Sequence, residues 1–322
     1  MSPNNRFDYL EIDGQASPMC PAPPSRSSRV IQETKPTSKQ LVIDQVIGKL
    51  GTAIGEFNCP AGIEVDKNGN LYVADSYNHR VQKIMPDGTA VAFGSKGKGP
   101  GHFLNVQDIA IDRESTLYIL EQGNNRIQKI SFDGQLLAII GCHGDSPGRF
   151  DSPMGLALDR SGAIYVADTG NGRLQKLDAA GRPIFTLSNK IDKQFYRPQG
   201  VATDRNGNCF VADTFCHCIV KIDPNGLEAK RFGSQGIGVG QFDEPQDLVF
   251  DRDGLLYIVE QRNDRLQVVD KNNMTVYCMD TTKTAVGRLN SPSGIAISPD
   301  GEIYVADTGN HRILRMVWKE NG

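Results

Sequence analysis

The chain has 322 residues, of which 39% are hydrophobic and 23% charged, with a formal net charge of −3 and a pI near 6.0. This composition fits a soluble globular protein and argues mildly against a general nucleic-acid binder, whose affinity comes mainly from neutralised phosphates. No apolar run approaches membrane-spanning length. Seven cysteines without regular spacing, and a start at Met1–Arg6 that leads into no apolar segment, set the expectation of a cytoplasmic protein with reduced thiols.

Residues 1–38 carry five prolines after position 17 and a serine cluster, Ser25, Ser27 and Ser28, with little periodicity. They read as a largely disordered tail. Within it Phe7-Asp8-Tyr9-Leu10-Glu11-Ile12-Asp13 alternates apolar and acidic residues. Such a segment can add a strand to a partner; the alternatives are an ordinary tail or a segment packed on the folded part of the chain.

Residues 39–322 are repetitive. An apolar residue, Tyr or Phe, two apolar or small residues and an acid recur, ending at Asp75, Glu121, Asp168, Asp213, Glu260 and Asp307, at intervals of 46, 47, 45, 47 and 47. A second marker, Phe57, Phe103, Phe150, Phe195, Phe242 and Leu289, keeps the same phase. Each unit reads as four short strands. In the first these are residues 62–66, 71–75, 81–84 and 89–93, with Asn68-Gly69 as a two-residue hairpin signal. Four strands per unit of this length predict an all-β fold, a six-bladed β-propeller of four-stranded antiparallel blades. The sixth unit stops where its fourth strand should begin, and Leu41–Gly48 matches that strand, so the N-terminal strand is expected to close the last blade.

The units resemble NHL repeats, most clearly at Tyr-Val-Ala-Asp-Ser-Tyr-Asn-His-Arg (72–80) and Tyr-Val-Ala-Asp-Thr-Gly-Asn-His-Arg (304–312). The resemblance covers residues 41–322. It implies a partner-binding face made by the second-to-third strand loops and the inter-blade loops. On that face the candidates are Tyr77, His79, Arg80, Lys96, Lys98, His102, His143, Arg149, Phe215, His217, Arg262 and His311. It also implies two alternatives: single-stranded RNA binding, with Lys96, Lys98, Arg149, Lys190, Lys193, Arg197, Lys283 and Arg288 contributing, or a metal-dependent lyase or hydrolase.

Asn-x-Arg recurs in five of the six second-to-third strand loops, either as a ring of anion-binding arginines or as a structural lock on each blade's carboxylate. The fourth blade has Cys216-His217-Cys218 instead, soft ligands for a metal. A zinc site would need further donors, for which Cys20, Cys59 or Cys142 would have to fold over; the alternative is drift at a tolerant blade. The second and fifth blades each replace a first-strand glycine by Asp (Asp108, Asp247) and carry Glu-Gln after the second strand (Glu121, Glu260). These four carboxylates are read as converging near the channel, where they would suit a divalent metal or a basic partner segment, or else as strand caps. No complete catalytic constellation is visible. The expectation is therefore a protein-interaction scaffold or accessory subunit, and not an enzyme, that binds protein partners and fits within a larger multi-subunit complex.

Overall fold

The computed structural model describes residues 39–188, 195–279, 284 and 286–320. The tail, its alternating segment and Cys20 lie outside the described residues, as do Lys190, Lys193 and Lys283.

Six four-stranded antiparallel sheets form the ring. Blade 1 is β2 (Pro60–Val65), β3 (Leu71–Asp75), β4 (Arg80–Ile84) and β5 (Ala90–Phe93). Blade 2 is β6 (Val106–Ile111), β7 (Leu117–Glu121), β8 (Arg126–Ile130) and β9 (Leu136–Ile140). Blade 3 is β10 (Gly155–Leu158), β11 (Ile164–Asp168), β12 (Arg173–Leu177) and β13 (Pro183–Leu187). Blade 4 is β14 (Pro198–Thr203), β15 (Cys209–Asp213), β16 (Cys218–Ile222) and β17 (Ala229–Phe232). Blade 5 is β18 (Pro245–Phe250), β19 (Leu256–Glu260), β20 (Arg265–Val269) and β21 (Thr275–Cys278). Blade 6 is β22 (Gly294–Ile297), β23 (Ile303–Asp307), β24 (Arg312–Glu320) and, outermost, the N-terminal β1 (Lys39–Ile47).

The second strand of every blade is buried along its whole length. Its two faces pack on the two neighbouring blades, which explains why it reads as an apolar run closed by an acid instead of an alternation. One core cluster joins Tyr72, Ala74 and Val81 of blade 1 to Phe103, Ile109 and Ile119 of blade 2, and equivalent clusters fill the other junctions. Closure is antiparallel from Lys39↔Glu320 to Ile47↔Ile313, with a bulge between Ile43 and Gln45. Blade 5 latches the closed blade: the Tyr277 hydroxyl accepts from Leu41 N at 3.1 Å, and Trp318 Nε1 donates to the Tyr257 hydroxyl at 3.0 Å.

The phase markers Phe57, Phe103, Phe150 and Phe242 are almost wholly buried under the inter-blade loops. At Gly94 the backbone takes φ +88°, and an added Cβ would lie 2.2 Å from the Phe103 ring. The ring and the glycine therefore fix the loop together. The turn after β2 differs from the expected two-residue hairpin. Only Gly69 takes a positive φ (+78°), because the Asp66 carboxylate accepts from Asn68 N and Asn70 N at 2.9 Å and shapes a longer turn.

Candidate functional site

Each second strand ends in a carboxylate with no solvent exposure. Asp75 accepts from Asn58 N (2.7 Å), Asn78 Nδ2 (2.9 Å), Arg80 Nε (2.7 Å) and Gln82 Nε2 (3.0 Å). The rest of the Arg80 guanidinium donates to the carbonyls of Thr52, Ala53 and Glu56 in the inter-blade loop. Arg126 on Glu121, Arg173 on Asp168, Arg265 on Glu260 and Arg312 on Asp307 repeat the ion pair at 2.6–2.7 Å. The recurrent arginine is thus a lock between blade and loop. Arg80 is engaged in it and is removed from the partner-binding set. Glu121 and Glu260 belong to the same network and do not converge on the channel, which corrects that part of the four-carboxylate reading.

The histidines of the repeat are junction groups as well. His79, His217 and His311 take left-handed backbone conformations at φ 55°, 51° and 56°. Their Nδ1 atoms accept from the next blade: Asn105 N at 3.1 Å, Glu244 N at 3.2 Å and Cys59 N at 3.0 Å. Asn125 Oδ1 (on Ser152 N, 2.6 Å) and Asp264 Oδ1 (on Ser291 N, 2.8 Å) do the same in blades 2 and 5. Burial pulls His79 and His311 below the usual histidine value, which keeps the accepting nitrogen free of a proton.

Cys216, His217 and Cys218 are each engaged with neighbouring groups of the protein. Cys216 stands in the asparagine position and hydrogen-bonds Asp213. His217 faces Glu244 N and, at 3.1 Å, Asp243 Oδ1. Cys218 is buried beside Arg231, whose Nη1 lies 3.3 Å from Sγ and 2.5 Å from Asp213 Oδ2. Arg231, on the fourth strand of the blade, thus supplies the guanidinium missing from the third. Among the described residues no group of three or more His, Cys, Asp or Glu side chains could hold a metal ion.

Asp108 and Asp247 do reach the channel. Asp108 Oδ1 accepts from Ile109 N (2.8 Å) and Oδ2 from Leu156 N of blade 3 (2.7 Å). Asp247 Oδ2 accepts from Ile295 N of blade 6 at 3.0 Å. The other blades need glycine here because backbone approaches closely: a Cβ on Gly62 or Gly200 would lie 2.6 Å from Asp108 Cα or 2.4 Å from Asp247 Cα. A third channel carboxylate, Glu64, escaped sequence reasoning because it looks like an ordinary polar position of an alternating strand. Burial pushes Glu64 and Asp247 up to about 7, Asp247 adding to the rise at Glu64, and pushes Asp108 well above the carboxylate range.

Above these acids the loop-face mouth is a cavity of about 140 Å³ lined by Gln107, Gln122, Gln199, Gln246 and Gln261 as well as Tyr77. Gln246 Nε2 donates to Gln261 Oε1 at 2.7 Å, and Gln107 Nε2 points at Gln122 Oε1 at 3.4 Å, so blades 2 and 5 present matching amide pairs. Gln199 of blade 4, which is 6% exposed, lines the same mouth. The signal for this ring is a phase: Ala61, Gln107, Met154, Gln199, Gln246 and Ser293 all precede the glycine-or-aspartate position.

Outside the mouth, Lys96, Lys98, His102, His143 and Arg149 are exposed on the inter-blade loops, with His102 Nδ1 2.8 Å from Ser95 Oγ. Tyr77 is 50% exposed. Phe215 packs edge-on to Tyr196 with the Arg197 guanidinium over its ring, and Arg262 pairs with Glu244 at 2.5 Å. Arg288 pairs with Asp264 at 3.1 Å. The basic set expected for RNA is therefore partly neutralised.

The NHL-repeat family model matches residues 57–84, 150–177 and 289–316, which are the first three strands of blades 1, 3 and 6 with their leading loops. Three blades of this six-bladed β-propeller carry NHL repeats. The blades that go unmatched include those with Asp108, Asp247 and Cys218, where the repeat departs most from its own pattern. No curated protein sequence matches this propeller. Among solved structures it is similar to a protein of unknown function from Bacteroides thetaiotaomicron (17% identity, 87% of this chain and 76% of that one, TM-score 0.70). It is also similar to a gluconolactonase from Xanthomonas campestris (16%, 90% and 99%, 0.64) and to virginiamycin B lyase from Staphylococcus aureus (16%, 86% and 85%, 0.61). At these identities the likeness is one of fold. No helix among the described residues is long and apolar enough to cross a membrane.

Proposed function

We propose that this NHL propeller is a protein-interaction scaffold or accessory subunit that seats its partner on the loop face. The observation that carries this reading is a division of labour on that face. The repeat's own polar groups, the Asn-x-Arg arginines and the junction histidines, are engaged between blade and loop or between blades. The groups left to meet solvent are blade-specific: Tyr77, Lys96, Lys98, Arg149 and Arg262, around a mouth of glutamine amides. Blade-specific side chains on loops held by a rigid ring are what selective binding requires. The gluconolactonase and lyase neighbours share the ring, and a shared fold carries no activity with it.

The test compares two surface variants with the wild type in affinity purification from the native host. A loop-face variant combines Tyr77→Ala with Arg262→Glu; an opposite-face variant combines Arg113→Glu with Arg205→Glu. A stoichiometric protein lost only with the loop-face variant supports the reading. A protein retained by both variants, or lost only with the opposite-face one, overturns it.

A further inference from the structure

On the face opposite the loops, the channel opens into a cavity of about 640 Å³. Four arginines line it, Arg113, Arg160, Arg205 and Arg252, one from the turn after the first strand in each of blades 2 to 5. Among the described residues the side chains of Arg113, Arg160 and Arg252 make no ion pair, although Arg182, Arg262, Arg288 and Arg315 elsewhere on the surface are all paired. Arg205 is tethered across a blade junction, where its Nη2 donates to the Arg252 carbonyl. The aspartate before each of the last three arginines is turned into its own hairpin. Asp159 Oδ1 accepts from Ser161 N and Ala163 N, Asp204 Oδ1 from Asn206 N and Asn208 N, and Asp251 Oδ1 from Asp253 N and Leu255 N, all at 2.8–3.0 Å. The lining carries one acid more than it has arginines, so free donors set the rim apart, not net charge. Glu114 stands beside Arg113 in blade 2, so the open arc of guanidinium groups runs over blades 3 to 5. The floor is of another kind. Val65, Ile111, Leu158, Phe250 and Ile297, the last residues of five of the first strands, form an apolar collar. Ile111, Leu158 and Phe250 also line the channel cavity that holds Glu64, Asp108 and Asp247, so the collar separates the arginines from the channel acids.

We infer that this mouth is a binding site for a small organic polyphosphate, a cyclic body that lies on the apolar collar and carries several phosphate groups out to the arginine arc. A guanidinium has five donors and no acceptor, and its planar fork matches two oxygens of one phosphate. Arginines spread over three blades need several anionic groups spread in the same way, which a single phosphate does not present. The collar selects against a bare inorganic chain, because only a ligand with an uncharged face removes that apolar surface from water. The cavity volume falls within the roughly 300–1,000 Å³ of small-molecule sites. A nucleotide and a phosphorylated cyclitol both present this chemistry. The site lies on the face away from the proposed partner surface, and either can fail without the other.

The experiment is calorimetric titration of the full chain at physiological ionic strength without divalent metal. The probes are ATP, inositol hexakisphosphate, inorganic tripolyphosphate, adenosine and a short oligouridylate. Wild type is compared with Arg160→Gln/Arg252→Gln and with a loop-face control that removes the same charge, Lys96→Gln/Lys98→Gln. ATP or inositol hexakisphosphate is expected to bind at least about fivefold more tightly than tripolyphosphate, and adenosine not to bind. The tighter of the two organic probes names the body, a base or a cyclitol. Arg160→Gln/Arg252→Gln should weaken that binding at least about tenfold, with the melting temperature of the free protein unchanged because both side chains are exposed. If the double variant melts lower, Arg252→Gln alone decides the outcome. The lysine control should leave the affinity unchanged. Tripolyphosphate binding as tightly as the better organic probe, an equal loss in the lysine control, or no binding of either organic probe overturns the inference. So does an oligouridylate that binds more tightly than every small probe and is lost with Arg160→Gln/Arg252→Gln, which would assign the arc to single-stranded nucleic acid.

Discussion

Arg231 Nη1 lies 2.5 Å from Asp213 Oδ2, reaching that buried carboxylate from the fourth strand of blade 4, where the other five blades send an arginine from the third. The blade that loses its consensus arginine to Cys218 therefore keeps the charge pair by another route. Breaking a buried pair strands a charge in low dielectric, at a cost of about 3–5 kcal/mol. Arg231 retains 26% side-chain exposure, so the lower end applies. Arg231→Ala should cost about 3 kcal/mol in urea unfolding, and adding Cys218→Arg should restore most of it. A loss below about 1 kcal/mol, or no rescue by the second change, would show that the two arginine routes are not equivalent.

Two glycines with nearly the same backbone should separate conformational strain from collision. Gly88 has φ +85° and open space around an added Cβ, while Gly94 has φ +88° with the Phe103 ring at 2.2 Å. Gly88→Ala should cost about 1–2 kcal/mol, the left-handed penalty alone. Gly94→Ala must also displace a buried ring and should cost at least about 2 kcal/mol more. Thermal unfolding of the two variants side by side checks this, and equal losses would mean that the ring yields freely.

Most of the ring was legible in the sequence because its causes are local and repeated. The apolar strand closed by an acid kept phase through six units with a marker that is Phe in five and Leu289 in the sixth, and β1, which begins near Leu41, pairs with β24 as the outer strand of blade 6. The candidate site was less legible because its residues are departures that a repeat cannot predict. Arg231 lies 18 residues beyond the carboxylate it serves, so no spacing links them. Glu121 and Asp108 carry the same chemistry, yet one is locked inside blade 2 and the other faces the channel. That difference follows from where each strand begins and ends in the ring.

The junction histidines should behave as hydrogen-bond acceptors that asparagine can replace, since Asn125 already does so in blade 2. Asparagine also tolerates the left-handed backbone. His79→Asn should change stability by about 0.5 kcal/mol or less, while His79→Ala should lose about 1–2 kcal/mol through strain and an unpaired Asn105 N–H. The folded histidine values are lowered, so their stabilising share is present above the ordinary value near 6.5 and is lost as pH falls below it. The double variant His79→Asn/His311→Asn should therefore show a shallower loss of stability between pH 6.5 and 5 than the wild type. An unchanged acid limb would assign that limb to other groups.

The channel carboxylates predict the opposite slope. Glu64 is raised from 4.5 to about 7 by burial and by Asp247, so folding favours its protonated form. Its contribution is present below pH 4.5 and is lost as pH rises through about 7. Glu64→Gln keeps the oxygen that accepts from Val65 N at 2.8 Å and removes the charge. The variant should match wild type near pH 5 and exceed it by about 1–2 kcal/mol at pH 8. Asp247 remains in the channel, raised to about 7, so part of the alkaline decline should persist. Urea midpoints at both pH values measure the difference. A Glu64→Gln variant no more stable than wild type at pH 8 would mean that the ionised carboxylate is already compensated in the channel, the outcome expected if the purified protein carries a bound cation there.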